Sequence, residues 1–236
     1  MNYISPESKI GNIIVEGDII ILGSSIIEDD VVLGHNVIIG YPRRRKILRL
    51  LANRVRREAL KELDTISSGS YISSNCILRS GTIVYEDTVI GRNVETGHNV
   101  LIREDVKIGD NTKIGTLTVI DGKVEIGRNV SIQTGVYIPP YTKIGNNVFI
   151  GPYVKITNDK YPPSKKLKGV IIEDNAIIGC GAILIAGVRI GRNAVVAAGS
   201  IVTKDVPPNA VVRGVPARIV SSRREYDERR RIWEKQ

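Results

Sequence analysis

Two histidines occur in the 236 residues, His35 in GHNVIIG and His98 in TGHNVLIRED, so the tetrapeptide GHNV is present twice. A neutral imidazole with a pKa near ~6.5 suits proton removal from an attacking amine or hydroxyl at neutral pH. The other role for either ring is an outward corner position before Asn, which any polar residue fills. His35 is assigned that role; for His98 both readings stand. Arg103 and Glu104 follow His98 closely and also divide in two. They form either an exposed ion pair or a binding pair, in which the guanidinium fork takes a carboxylate or diphosphate and the carboxylate takes an amine or hydroxyl. Cys76 and Cys180 lie far from both histidines. A zinc centre built on three histidines is thereby excluded, and no metal is expected. Two distant cysteines make no disulfide framework, and both are expected to be structural.

The elements that carry these residues are set by a repeat. From Ile66 an aliphatic residue recurs every six positions, through Ile72, Leu78, Val84 and Ile90, and again from Ile102 to Ile156; Thr96 is the one exception. Turn pairs such as Asp110-Asn111, Arg128-Asn129 and Asn146-Asn147 fall between them. The same phase is readable from Val15 to Ile39 and from Ile172 to Val202. A strict period of six matches neither an α-helix nor an alternating strand. It predicts a parallel β-helix in which each hexapeptide supplies one short strand and one corner, and three close a coil of 18 residues. Coils then stack about 4.8 Å apart. Ile and Val total 63 against 12 Leu, as a narrow interior of β-branched side chains requires.

Interruptions of such a repeat become loops on one face. Ile39 and Ile66 are 27 residues apart, and the stretch between carries Pro42 and a stripe of Ile47, Leu51, Val55, Ala59 and Leu63, which predicts one amphipathic helix. Ile156 and Ile172 are 16 apart and enclose TNDKYPPS, a stiff external loop where site residues concentrate. After Val202 the chain is expected to leave the coil and end in a short helical tail that covers the last turn. The predicted organisation is a single β-helix domain over 1–236, with a helical insertion at 41–65, an external loop at 157–170 and a C-terminal cap and tail at 207–236. If each insert replaces one hexapeptide, His98 shares a column with Thr116, Thr134 and Pro152, and His35 stands on another.

The formal charge is +9. Residues 43–64 carry nine Lys+Arg against three Asp+Glu, and residues 213–236 carry eight against four, which leaves the coil near neutral. That distribution suits polyanionic small molecules as well as nucleic acid, and no specific nucleic-acid partner is expected. For the insert, subunit packing, substrate steering and contact of residues 43–64 with a membrane surface all remain open. No apolar run reaches the ~18 residues of a membrane span, and MNYISPESKIGN lacks the zones of a signal peptide, so a cytoplasmic location is expected.

The hexapeptide pattern resembles the left-handed β-helix acyltransferases over nearly the whole chain. The stretches TGHNVLIRED, YIPPYTKIGNNVFIGP and TNDKYPP are similar to nucleotide-sugar N-acetyltransferases, the nearest type being that acting on UDP-2-acetamido-3-amino-2,3-dideoxyglucuronate. The resemblance implies an all-β, left-handed helix, acetyl-CoA as cosubstrate, a nucleotide amino sugar as acceptor, and a homotrimer with sites between subunits. It implies His98 as catalytic base, or a leaving thiolate that takes the proton itself. It places Arg103, Glu104, Asn158 and Asp159 on the sugar side, although Asn158 and Asp159 are also ordinary loop formers. Donor contacts are expected at Gly181, Ala182, Ala198 and Gly199, where small residues let a pantetheine arm approach the backbone, and at Lys204 and Arg218 for the phosphates. Tighter corners and solvated cations are the other reading of those positions. Sugar O-acetylation and a non-catalytic β-helix scaffold are the alternative functions.

Overall fold

A computed structural model describes residues 2–52 and 58–236. Among these residues the strands form three sheets, of ten strands from Tyr3–Ile4 to Ile201–Val202, nine from Lys9–Ile10 to Arg189–Ile190, and eleven from Ile13–Val15 to Ala217–Ser222. They are the first, second and third faces of a left-handed parallel β-helix. Parallel crossovers are normally right-handed because a long connection must pack back onto its sheet. Here most connections are four-residue corners, and the reason for the usual hand is absent.

Most corners turn on one residue with positive φ, commonly Asn, as at Asn99 (53°), Asn111 (58°) and Asn147 (55°). Asn reaches this region more readily than other side chains, because its short amide bonds locally. This explains the turn pairs seen in the sequence. Between corners the second residue of each two-residue strand points inward: Ile102, Ile120 and Ile138 stack on the first face and are fully buried. Burying each such side chain contributes about 1.5–3 kcal/mol. Thr96 occupies an inward position on the third face, where its hydroxyl lies 3.0 Å from that of Thr82 and accepts the Arg79 N–H at 3.0 Å.

Both long gaps in the repeat open from the same corner column, between the first and second faces, here termed the insert edge. Gly40 (φ 80°) starts the first departure; a Cβ there would meet the Leu22 carbonyl oxygen at 2.4 Å. The pairing register shifts at this point, where Tyr41 lies opposite Tyr85. Two helices follow, α1 (Arg44–Ala52) and α2 (Ala59–Ile66), in place of the single helix predicted. Val55 of the expected stripe lies outside the described residues.

Ile66 closes α2 and is no strand residue, so its agreement with the period of six is coincidental. Consecutive inward positions are Ile39 and Ile72, and the insert adds its 27 residues to one corner without replacing a hexapeptide. His35 therefore shares the column of His98: the Gly81 N–H donates to the His35 carbonyl, and the Asn99 N–H to that of Ser80.

The C-terminal expectation also changes. Ala210–Gly214 extends the third face in parallel with Val195–Val196, and Ala217–Ser222 folds back on it antiparallel, so the coil continues past Val202. Helix α3 (Arg223–Trp233) begins at a capping box between Ser222 and Glu225. It buries no residue and leaves Ile232 and Trp233 exposed, so it does not seal the coil end with an apolar face. No helix of the described residues is long and apolar enough to cross a membrane.

Candidate functional site

The corner column between the third and first faces is the histidine edge. It runs through His35, Ser80, His98, Thr116, Thr134, Pro152, Cys180 and Ala198, each backbone carbonyl before Ala198 accepting an N–H from the corner above. The His35 ring is occupied, since its Nδ1 accepts the Asp18 N–H at 3.1 Å. The His98 N–H donates to the Thr116 hydroxyl at 3.2 Å, and its exposed imidazole bonds no described group. One sequence motif thus serves two situations: a ring that braces a corner and a ring that faces outward.

Toward the C-terminus this edge loses its side chains. Gly181 (φ 65°) and Gly199 (φ 66°) have open space where a Cβ would stand, while at Gly135 a Cβ would meet the Tyr153 ring at 2.6 Å. Ala198 is exposed at its corner, but Ala182, expected as a donor contact, is fully buried with its N–H on Gly179 and its carbonyl on Lys155, so it offers a ligand no surface. Cys180 is exposed here and packs no core, contrary to the structural role expected of it. Cys76 is buried, its thiol 3.1 Å from the Gly91 carbonyl, and burial pushes its pKa up to about 11.

Beside these last corners lies a cavity of about 480 Å³ lined by Gly179, Ala197, Ala198, Arg213, Tyr226 and Arg229, among others. Arg218 is the hairpin partner of Arg213, and the Gly214 N–H donates to Ser200 on the same edge. The basic tail in the sequence signalled cations near this end, but only the folding-back of the hairpin and α3 selects Arg213 and Arg229. From His98 to Cys180 is four coils, about 19 Å at the strand spacing.

The expected acceptor residues stand on the insert edge, across the first face from His98. Arg103 holds Glu104 through two nitrogens at 3.0 and 3.1 Å, reaches Asp121 at 3.3 Å, and lies 5.7 Å from the centroid of the Tyr85 ring. Burial works against its charge, but Glu104 and Asp121 outweigh this and raise its pKa above the ordinary value. Tyr137 donates to Asp121 at 2.7 Å, and burial together with that bond pushes its pKa up to about 12. One guanidinium between two carboxylates leaves an acidic cluster.

Three coils above, about 14 Å away, the external loop leaves the same edge. Its Asp159 carboxylate accepts the N–H groups of Tyr161 (3.1 Å) and Ser164 (2.8 Å), and so staples the loop. Asn158 lines a cavity formed with this loop. Lys204 lies on the insert edge also, apart from Gly181, Ala198, Gly199 and Arg218. Among the described residues no group of three or more His, Cys, Asp or Glu is placed to hold a metal ion.

Between the two edges, the outward residues of the first face are Ile20, Ile38, Ile83, Leu101, Val119 and Tyr137 in six successive coils. The second face presents Lys107, Glu125, Lys143 and Arg189. His98 and Arg103 stand at opposite corners of the first face, with the two-residue strand Leu101–Ile102 between them. The two half-sites therefore do not meet within one chain.

Residues 105–140 match the bacterial transferase hexapeptide family (six repeats), and residues 169–204 match the hexapeptide repeat of succinyl-transferase. The chain is 44% identical over 84 residues to a 2,3,4,5-tetrahydropyridine-2,6-dicarboxylate N-acetyltransferase of Staphylococcus aureus, a stretch covering 36% of this chain and 34% of the relative. It spans about a third of the length of such curated relatives. Among solved structures, the UDP-N-acetylglucosamine acyltransferase of Francisella novicida superimposes with a TM-score of 0.59 at 22% identity, over 92% of this chain and 71% of the other, a likeness of fold. Two stretches of the β-helix, residues 105–140 and 169–204, thus carry the hexapeptide repeats of bacterial transferases.

Proposed function

We propose that the chain is an acetyl-CoA-dependent N-acetyltransferase acting on the amino group of a nucleotide-linked amino sugar, as a homotrimer in the cytoplasm. The observation that carries this is the division of chemistry between the two edges of an apolar face. A histidine with a free ring, small-residue corners and an arginine-lined cavity follow one another on one edge; an acidic cluster and a lysine-rich loop occupy the other. A second copy covering the apolar first face would set the insert edge of one chain against the histidine edge of the next, and the closed arrangement of such heterologous contacts is a ring.

On this reading the pantetheine arm lies along the small corners, with its phosphates toward Arg213, Arg218 and Arg229. The amine nitrogen attacks the thioester carbonyl carbon, the carbon–sulfur bond breaks, and coenzyme A leaves as a thiolate. The ammonium proton goes to His98 or to that thiolate. The Thr116 N–H, one coil above His98, donates to no described acceptor and serves as an oxyanion donor on this edge. Much of the rate comes from aligning amine and thioester. The net negative charge around Glu104 and Asp121 favours an amine over a hydroxyl as the acceptor group.

The test is thiol release from acetyl-CoA with UDP- and dTDP-linked amino sugars, their hydroxyl counterparts, and the dicarboxylate named for the staphylococcal relative. Fastest turnover with amino sugars is expected. Preference for hydroxyl sugars would replace the reading with O-acetylation, and absence of both turnover and coenzyme A binding would leave a scaffold.

A further inference from the structure

The external loop encloses a cavity of about 240 Å³ on the insert edge, lined chiefly by Asn158, Lys160, Tyr161, Ser164, Lys166 and Lys168. Residues 157–170 contain four lysines and one carboxylate, Asp159. That carboxylate is turned into the loop, where the Tyr161 and Ser164 N–H groups occupy both its oxygens. Lys160, Lys166 and Lys168 form no ion pair with a described residue. The Lys160 ammonium stands 5.7 Å from the Tyr161 ring centroid. The Lys168 stem lies along the coil, where a Cβ on Gly187 would meet its Cδ at 2.8 Å. The loop that presents them is closed by the Lys168 N–H on the Asn158 carbonyl at 2.8 Å.

Three like charges gathered around one small space repel one another unless an anion enters. A single carboxylate neutralises one of them; the diphosphate diester of a nucleotide sugar neutralises two, and Lys is a point-charge binder of phosphate. We infer that this cavity seats the diphosphate of the nucleotide-linked acceptor. The inference rests on the acceptor reading above. Coenzyme A also contains a diphosphate, but the open glycine corners and the Arg213–Arg229 cavity lie on the other edge, whereas this cavity shares its edge with Arg103, Glu104 and Asp121.

The experiment is calorimetric titration of the full chain with inorganic pyrophosphate, UDP and coenzyme A, at low and at physiological salt. Two variants are compared with the native chain: Lys160→Gln/Lys166→Gln/Lys168→Gln, and Arg213→Gln/Arg229→Gln. The lysine variant should bind pyrophosphate and UDP at least tenfold more weakly and coenzyme A unchanged, and the arginine variant the reverse. Unchanged pyrophosphate affinity in the lysine variant overturns the inference, as does absence of pyrophosphate binding to the native chain or loss of coenzyme A alone. If these titrations behave as expected and no amino-sugar nucleotide is turned over, the acetyltransferase reading falls and the diphosphate site stands.

Discussion

One buried carboxylate, Glu86, ties both ends of the helical insert to the coil, beside the bonds of Asp64 to Tyr3 and Gly23 and of Arg43 to Asp105, and removing its charge should loosen the insert while leaving the coil intact. The Glu86 side chain is fully enclosed and accepts four hydrogen bonds, from the Arg43 N–H and Nε at 3.0 Å each, from Lys46 Nζ at 2.6 Å and from the Ser68 N–H at 2.8 Å. Those donors flank both ends of the insert. In Glu86→Gln one oxygen survives for Arg43, but an NH2 group faces Lys46 and Ser68, two donors with no acceptor. Hydrogen bonds to a charged group contribute about 1.5–3 kcal/mol each, and breaking a buried pair costs about 3–5 kcal/mol, so a loss near 3 kcal/mol is expected. At about 1.4 kcal/mol per decade that is on the order of a hundredfold in the opening equilibrium.

Amide hydrogen exchange reads it directly. Peptides covering residues 59–70 should exchange about a hundredfold faster, while those of the coil from 100 to 156 stay unchanged, because the stacked interior is untouched. The exposed pair Lys143–Glu125 is the control, and Glu125→Gln should alter stability by no more than about 0.5 kcal/mol. Burial works to raise the Glu86 pKa, but the bonds from Lys46, Ser68 and Arg43 outweigh it and hold the carboxyl below 4.5. Its contribution is therefore complete above pH 4.5 and is lost as pH falls through the lower folded value, and this acid loosening should vanish in Glu86→Gln. Unchanged exchange in 59–70, or a collapse of the whole coil, would refute the assignment of Glu86 as the local anchor.

Under the acetyltransferase reading, His98→Ala should lower kcat about 10²–10⁴-fold, while His35→Ala keeps turnover; rates with saturating acetyl-CoA decide this. Retained turnover in His98→Ala would assign the proton to the leaving thiolate. Arg213→Ala with Arg229→Ala should raise KM for acetyl-CoA about tenfold or more with kcat little changed, since phosphate contacts remote from the reacting carbon bind ground and transition states alike. Leu101→Arg with Val119→Glu, which places charges on the apolar first face, should shift the sedimentation mass from a multiple of the 25.9 kDa chain to a single chain and abolish activity with the circular dichroism retained.

The period of six was sufficient to predict the β-helix, because a three-sided coil needs one inward residue per face and only a repeat of that length supplies it. Thr96 was visible as a break in that repeat, though not its bond to Thr82, which depends on how neighbouring coils overlap. The basic tail announced cations near the C-terminal coils, while the choice of Arg213 and Arg229 waited on the hairpin. Column membership across the insert is not legible in the spacing, because Ile66, which ends a helix, falls in phase with the strands; a helix end and a strand interior both want an aliphatic residue, and spacing does not distinguish them. Likewise the hold of Glu86 on Arg43 spans 43 positions with no periodic trace. Within the repeat, contacts recur at a fixed separation and can be read along the chain. Across an insertion, separation in sequence carries no distance, and only the folded coil shows that both excursions leave one edge while His98 and the open glycine corners share the other.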